Sequence, residues 1–426
     1  MWWRSRRQPG YRHEWVGRLG ISLQARPPEG PLLWVHAVSV GEARAALPLV
    51  QALALAHPAV HLLITSTTPT GRDTVRELYG AMLGPRLHQA WLPWDLPGAC
   101  TRFLKHWRPR LGLLMETELW PNLMHEARGQ QVPMVLVNAR LSERSLARGL
   151  RFASLITPAA QQLACVLAQG EEDAHRMARL GRPADAVTGN LKFDNTPAAA
   201  QLALGRHWRE QIGRPVVLLA SSREGEERPV LEAWWQQIVQ PAREGAPLLV
   251  IVPRHPQRFD EVARLVQSLG GLLARRTALD EVHTDFAVVD VLLGDSMGEM
   301  SAWYALADLT LMGGSLGPYG SQNLIEPCAA GCPVVLGPST FNFTDAAAEA
   351  IRVGAARQVE ADEVVTEALR LMADPAQRQA MQQAALRFAS AHRGATQRTV
   401  DALAPWLSAA LAASPSAPRE ARFLGR

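Results

Sequence analysis

Short apolar runs alternate with longer helix-like stretches along almost the whole chain, and no other feature restricts the fold as much. In the first half the runs are Leu32–Val35, Val60–Ile64, Leu111–Met115, Met134–Val137 and Cys165–Ala168. In the second half they are Val216–Leu219, Leu248–Val252, Phe286–Leu293, Leu309–Met312 and Pro333–Leu336. Each reads as a buried strand. Strands separated by helices form βαβ units, so the expectation is an α/β fold built on mainly parallel sheets.

At 426 residues the chain is too long for one compact core. The turn-rich stretch from Thr188 to Pro197 is the natural linker. It leaves two doubly wound, Rossmann-like domains, 21–190 and 191–412, with helical sequence dominating from Asp362 to Ala412. Residues 413–426 are polar and Pro-rich and read as a disordered tail. Residues 1–20 mix Trp2, Trp3, Tyr11 and Trp15 with Arg4, Arg6, Arg7, Arg12 and Arg18. Such an arm suits the headgroup zone of a membrane, or packs its Trp residues on the body of the protein.

Composition narrows the function classes. A net charge of +4 and a pI near 9.1 suit an anionic substrate or membrane surface better than sequence-specific nucleic-acid binding. Four scattered cysteines without a CxxC pair support neither zinc nor a disulfide scaffold, and fit a reducing cytoplasm. No stretch approaches the ~18 apolar residues of a spanning helix, and no signal peptide is visible. There is no nucleophile elbow and no metal-ligand cluster, so no metal or cofactor is expected. His36, His57, His61, His88 and His106 are dispersed and read mostly as structural.

One spacing recurs at strand ends: a small polar residue, then Glu three positions on, at Ser39–Glu42, Ser221–Glu224, Ser296–Glu299 and Asn323–Glu326. This is the capping-box spacing, and for any one Glu alone a helix cap is the better reading. Carboxyl ends of strands are also where open α/β sheets bind ligands, and helix starts there suit anions. The Gly-rich stretch 313–323 follows a strand and is balanced between a phosphate loop and a plain one. Pro253-Arg254-His255-Pro256 ends a strand with two groups suited to phosphate, or is a rigid turn. In Met115-Glu116-Thr117-Glu118 the chain is expected to turn, so that only one carboxylate faces a site. Lys192 alone in a linker reads as a solvated cation.

A dozen segments then fall in a familiar order: HAVSVGE (36–42), TPTG (68–71), LPWDLP (92–97), METELWPN (115–122), NARLSERS (138–145), GNLKFD (189–194), SSREGEE (221–227), PRHPQRF (253–259), GDSMGE (294–299), GGS (313–315), NLIEP (323–327) and GPSTFNF (337–343). Over roughly 10–390 the chain resembles the 3-deoxy-D-manno-octulosonic acid (Kdo) transferases of lipopolysaccharide synthesis. The resemblance implies the GT-B architecture, two Rossmann-like domains facing across a cleft. It implies an N-terminal domain for a lipid A precursor (lipid IVA), a C-terminal domain for CMP-Kdo, and metal-independent, inverting transfer at the cytoplasmic face of the inner membrane. Carried over by motif, Glu42 is the general base, and Glu116 and Lys192 stabilise the transition state. Pro253, Arg254 and His255, the turn Met297-Gly298-Glu299, and Asn323, Leu324, Ile325 and Glu326 line the CMP-Kdo site, with Glu326 on the ribose. Two departures stand out. Ser321-Gln322-Asn323 replaces the family's usual Gly-His-Asn, and Ser222-Arg223 replaces its usual Thr-His. Family members also often begin with an apolar anchor, whereas this sequence starts at Met1-Trp2-Trp3, so the expectation is a peripheral protein or a truncated start. The competing readings are a GT-B transferase for another nucleotide sugar, a sugar-nucleotide epimerase, and a non-enzymatic membrane adaptor.

Overall fold

The structure is a computed structural model that describes residues 15–21, 27–238, 246–279 and 284–412. Most of the aromatic and basic arm and the whole tail 413–426 lie outside the described residues. The chain divides into two compact units, one running to Asn195 and resuming at Arg393, the other spanning Thr196–His392.

The first unit holds a seven-stranded sheet in the order β3-β2-β1-β4-β5-β6-β7. Its strands are β1 Leu32–His36, β2 His61–Ser66, β3 Leu87–Trp91, β4 Leu111–Met115, β5 Met134–Ala139, β6 Cys165–Ala168 and β7 Ala186–Val187. All pairings are parallel. Alternate residues face opposite layers: Leu33 and Val35 enter one core, Leu32 and Trp34 the other. Both faces are covered, which is why the central strands read as unbroken apolar runs.

The second unit repeats the plan in the order β10-β11-β9-β8-β12-β13-β14, again all parallel. Its strands are β8 Val216–Ser222, β9 Leu248–Pro253, β10 Leu273–Arg275, β11 Val291–Leu293, β12 Leu309–Met312, β13 Val334–Leu336 and β14 Ala356–Gln358. Of the expected run Phe286–Leu293, only the last three residues form a strand. Val217 and Leu219 of β8 face one layer, and Val216, Leu218 and Ala220 the other.

Two placements differ from expectation. The helix Ala395–Ala412, expected in the second domain, packs in the first unit, where Leu403, Leu407 and Ala410 join the core that holds Leu49 and Leu53 of the Val40–Ala56 helix. Asp194 fixes its start by accepting from the Gly394 and Thr396 N–H groups at 2.7 and 2.5 Å. The 3₁₀ turn Leu191–Asp194 also belongs to the first unit. Leu191 is fully buried in that core, and its N–H donates to the Asn138 side chain at 3.0 Å. Among the described residues no helix is long and apolar enough to cross a membrane.

Candidate active site

In the first sheet the chain runs from β1 outward through β2 to β3, then returns to lay β4 on the other side of β1. In the second it runs outward from β8 and returns to lay β12 beside β8. A reversal of this kind opens a crevice at the carboxyl ends of the two central strands. Glu42 follows β1, and Glu116 and Glu118 follow β4. Glu226 follows β8, and the Gly-rich loop follows β12.

Ser39 is the N-cap of the Val40–Ala56 helix, its hydroxyl 3.5 Å from the Glu42 N–H. Glu42 reaches back one residue further than a standard capping box. Its Oε2 accepts from the Val38 N–H at 2.7 Å, while among the described residues Oε1 has only the Ser39 hydroxyl at 3.5 Å. The Val38 peptide is braced by the TPTG segment, where Thr68 donates to the Val38 carbonyl at 3.2 Å and accepts from the Gly71 N–H at 3.1 Å. The Glu42 carboxyl is pushed up to about 8 by burial, then by the negative charges of Glu116 and Glu118; the Val38 N–H and Lys192 oppose the rise. A cap and a basic carboxylate therefore coexist in one side chain, through different oxygens.

The chain does turn after β4, with Glu116 in the left-handed region at φ 56°. The negative charges of both Glu116 and Glu118 act on Glu42, where only one carboxylate was expected to face a site. Glu116 pairs with Lys192 at 2.8 Å, both nearly buried, so Lys192 is not a solvated linker cation. Glu118 accepts from the Trp120 indole at 2.8 Å and lies 3.6 Å from Nε2 of the buried His36. His36 is anchored through Nδ1 to the Thr65 hydroxyl at 2.8 Å. Asn138, also left-handed at φ 53°, sits at an irregularity between β5 and β6 and holds the Lys192 turn through Leu191. Residue-type patterns missed Asn138 and His36. The available signal was Asn at a strand end, since Asn tolerates positive φ better than most residues.

In the second unit the other three copies of the recurring spacing do not cap helices as Ser39 does. Glu224 is exposed, and the next helix begins only at Glu227. The Ser296 hydroxyl bonds Glu299, but Glu299 is itself the N-cap residue of Met300–Leu306 and pairs with Arg276 at 3.1 Å. Asn323 accepts from the Ile325 N–H and donates to Glu326 Oε1 at 3.0 Å. The residue that organises this crevice is Glu226, buried and overlooked in favour of Glu224. It accepts from the N–H groups of Arg223, Gly314, Leu316 and Gly317 at 2.8–3.1 Å. Burial raises its carboxyl and these four donors oppose the rise. The Gly-rich loop is consequently not an open phosphate loop: every non-proline amide from Gly313 to Gln322 already donates within the chain. Gly313 answers to a close approach, since a Cβ there would lie 2.5 Å from the Ser221 carbonyl.

The expected donor residues lie at the carboxyl ends of β9, β11 and β12, which with β8 are neighbours in one sheet. Arg254 is half-buried and His255 exposed after β9; Met297 and Gly298 are exposed after β11. Gly298 takes φ 81°, as the turn requires. Pro253, Leu324 and Ile325 are buried, so their side chains pack inward and only their backbone is available. Among the described residues no cluster of three or more His, Cys, Asp or Glu could hold a metal ion.

A family model for 3-deoxy-D-manno-octulosonic-acid transferase (kdotransferase) matches residues 13–195, ending where the first unit's opening segment ends. The 3-deoxy-D-manno-octulosonic acid transferase of Bordetella pertussis is 48% identical over 416 residues, covering 96% of this chain and 95% of that protein. The same-named protein of Haemophilus influenzae is 34% identical over 411 residues, covering 94% and 93%. Among solved structures, a glycosyltransferase from Rickettsia africae has a TM-score of 0.59 at 13% identity, covering 91% of this chain and 100% of that one. The UDP-GlcNAc 2-epimerase of Neisseria meningitidis has a TM-score of 0.57 at 16% identity, covering 88% and 100%. At such identities the likeness is one of fold alone. Two parallel seven-stranded sheets and near full-length relatives at 48% and 34% identity lead to one conclusion: this chain belongs to the 3-deoxy-D-manno-octulosonic acid transferase family of glycosyltransferases.

Proposed function

We propose that the protein transfers Kdo from CMP-Kdo to a hydroxyl of a lipid A precursor, releasing CMP, with Glu42 as general base. The observation that carries this reading is the Glu42 carboxyl itself, raised to about 8 and tied to backbone through only one short hydrogen bond. A carboxylate of ordinary pKa is a weak base for an alcohol, and one near the working pH is far better matched. The acceptor O–H proton passes to Glu42 Oε1 as its oxygen attacks the anomeric carbon of Kdo. The bond from that carbon to the phosphate oxygen breaks, and its electron pair leaves with CMP. Lys192, held by Glu116, supplies positive charge beside this exchange. Arg254, Glu299 and the Asn323–Glu326 pair are the proposed donor contacts, with Glu326 on the ribose. Pro253, His255, Met297, Gly298, Leu324 and Ile325 shape that wall, the buried ones through their backbone.

A lipid acceptor calls for membrane contact, and one surface of the first unit suits it. Leu150 and Leu155 are exposed on consecutive helices and Phe152 at the junction between them, beside the exposed Arg144, Arg148 and Arg151. Apolar and cationic groups together favour an anionic membrane face. This supports a peripheral enzyme on the cytoplasmic face of the inner membrane.

Incubation with CMP-Kdo and a lipid A precursor, followed by mass spectrometry, tests the reaction; products carrying added Kdo are expected. No mass gain sinks the proposal. Consumption of nucleotide sugar without acceptor would favour the epimerase chemistry that shares this fold.

A further inference from the structure

We propose that Arg223 is a specificity-determining residue of the donor half, pairing its guanidinium with an anionic oxygen of the bound nucleotide sugar. The inference rests on CMP-Kdo being the donor, a molecule with two such groups, the phosphodiester and the sugar carboxylate.

Arg223 stands at the carboxyl end of β8, beside the reversal point of the second sheet. Its guanidinium lies over the Tyr319 ring, 4.6 Å from the centroid, and its Nη1 is 3.2 Å from His255 Nε2. An arginine N–H only donates, so His255 Nε2 accepts and that ring is neutral. Neither an aromatic face nor a neutral imidazole cancels the charge. Elsewhere in this unit Arg209, Arg258, Arg275 and Arg276 each have a carboxylate within 4.0 Å. Among the described residues Arg223 forms no such pair.

Both supports of the side chain are themselves fixed. The Arg223 N–H donates to Glu226 at 2.8 Å, and the Tyr319 hydroxyl donates to the Glu224 carbonyl at 2.9 Å. The guanidinium is therefore held flat and steady before any ligand arrives, which suits forked recognition of phosphate or carboxylate. Positive charge is concentrated here: burial first, then Arg223, Arg254 and Arg258, hold the His255 pKa below its usual range. Of these three arginines, Arg258 is already neutralised by Glu227 and Glu261.

The test compares wild type, Arg223→Ala and Arg223→Lys by calorimetric titration with CMP and with CMP-Kdo, alongside steady-state transfer. Loss of a charge-assisted contact predicts about a ten- to hundredfold rise in Kd and KM for CMP-Kdo. The kcat and the thermal midpoint should stay near wild type, and Lys should recover only part of the loss, having no planar fork. Parallel weakening of CMP binding assigns Arg223 to the phosphate, and weakening of CMP-Kdo alone assigns it to the sugar carboxylate. Donor binding by Arg223→Ala within about twofold of wild type overturns the inference and leaves the donor reading intact. Wild-type protein that does not bind CMP-Kdo overturns both.

Discussion

Each unit places a glutamate after the first strand of its sheet, at the point where the strand order reverses, and the two side chains have opposite surroundings. Glu226 accepts from four backbone N–H groups and ties the Gly-rich loop to the β8 end. Glu42 has one short backbone donor and two further carboxylates acting on it. A glutamate at the corresponding strand end therefore gives a structural clamp in one half, in the turn before a helix, and a poised base in the other, in a helix's first turn. Fold alone does not decide which. The balance of donors against like charges does.

Exchanging each glutamate for its amide separates the two roles most sharply. Glu42→Gln should fold normally and lose roughly 10²- to 10⁴-fold in kcat, the usual contribution of a general base. Near wild-type turnover would remove Glu42 from that role. Glu226→Gln should instead unfold at lower urea. It sets an NH₂ against backbone donors, and each buried group left unpaired costs about 1–3 kcal/mol. If Glu226→Gln proves as stable as wild type, the clamp reading fails.

Titration sharpens the comparison further. Glu42 is raised from 4.5 to about 8, so between those limits the folded protein holds a proton that the unfolded chain releases. Its contribution to stability is present below about pH 4.5 and is lost as pH rises towards 8. The urea midpoint of wild type should fall over that interval more than that of Glu42→Gln. Transfer needs the ionised base, so kcat/KM should climb towards pH 8. Glu118→Gln removes one of the repelling charges and should shift that climb to lower pH; an unmoved profile would show that Glu118 does not act on Glu42.

The smallest effect concerns the backbone of the Gly-rich loop. Ser321 takes φ 70°, in the region that favours glycine. Its N–H donates to the Gly314 carbonyl at 2.7 Å, so the loop imposes the conformation. Ser321→Gly should therefore stabilise the protein by about 1 kcal/mol, read as a raised thermal midpoint. A lowered midpoint would mean that the serine hydroxyl matters more than the backbone.

The apolar runs correctly located ten strands, and the four they missed, β3, β7, β10 and β14, are the four sheet edges. An edge strand needs no unbroken apolar run. β10, Leu273-Ala274-Arg275, is half-buried throughout, and β14 is exposed at two of its three residues. Fold class was thus legible, because burial on both faces leaves a mark in residue type and order; spacing alone read Glu42 as a cap and Lys192 as a solvated cation, and only the order of the motifs singled them out. What sequence left open was assignment among similar carboxylates. Ser-x-x-Glu spacing selects Glu224, yet Glu226 is the buried clamp, because the backbone turns towards β12 and local spacing carries no record of a partner some 90 positions away. For the same reason only the tertiary structure joins Lys192 to Glu116, sets Glu118 against Glu42 and returns the last helix to the first unit. Periodicity states that a face must be covered and a charge must be answered; which residue does so depends on how distant strands stack.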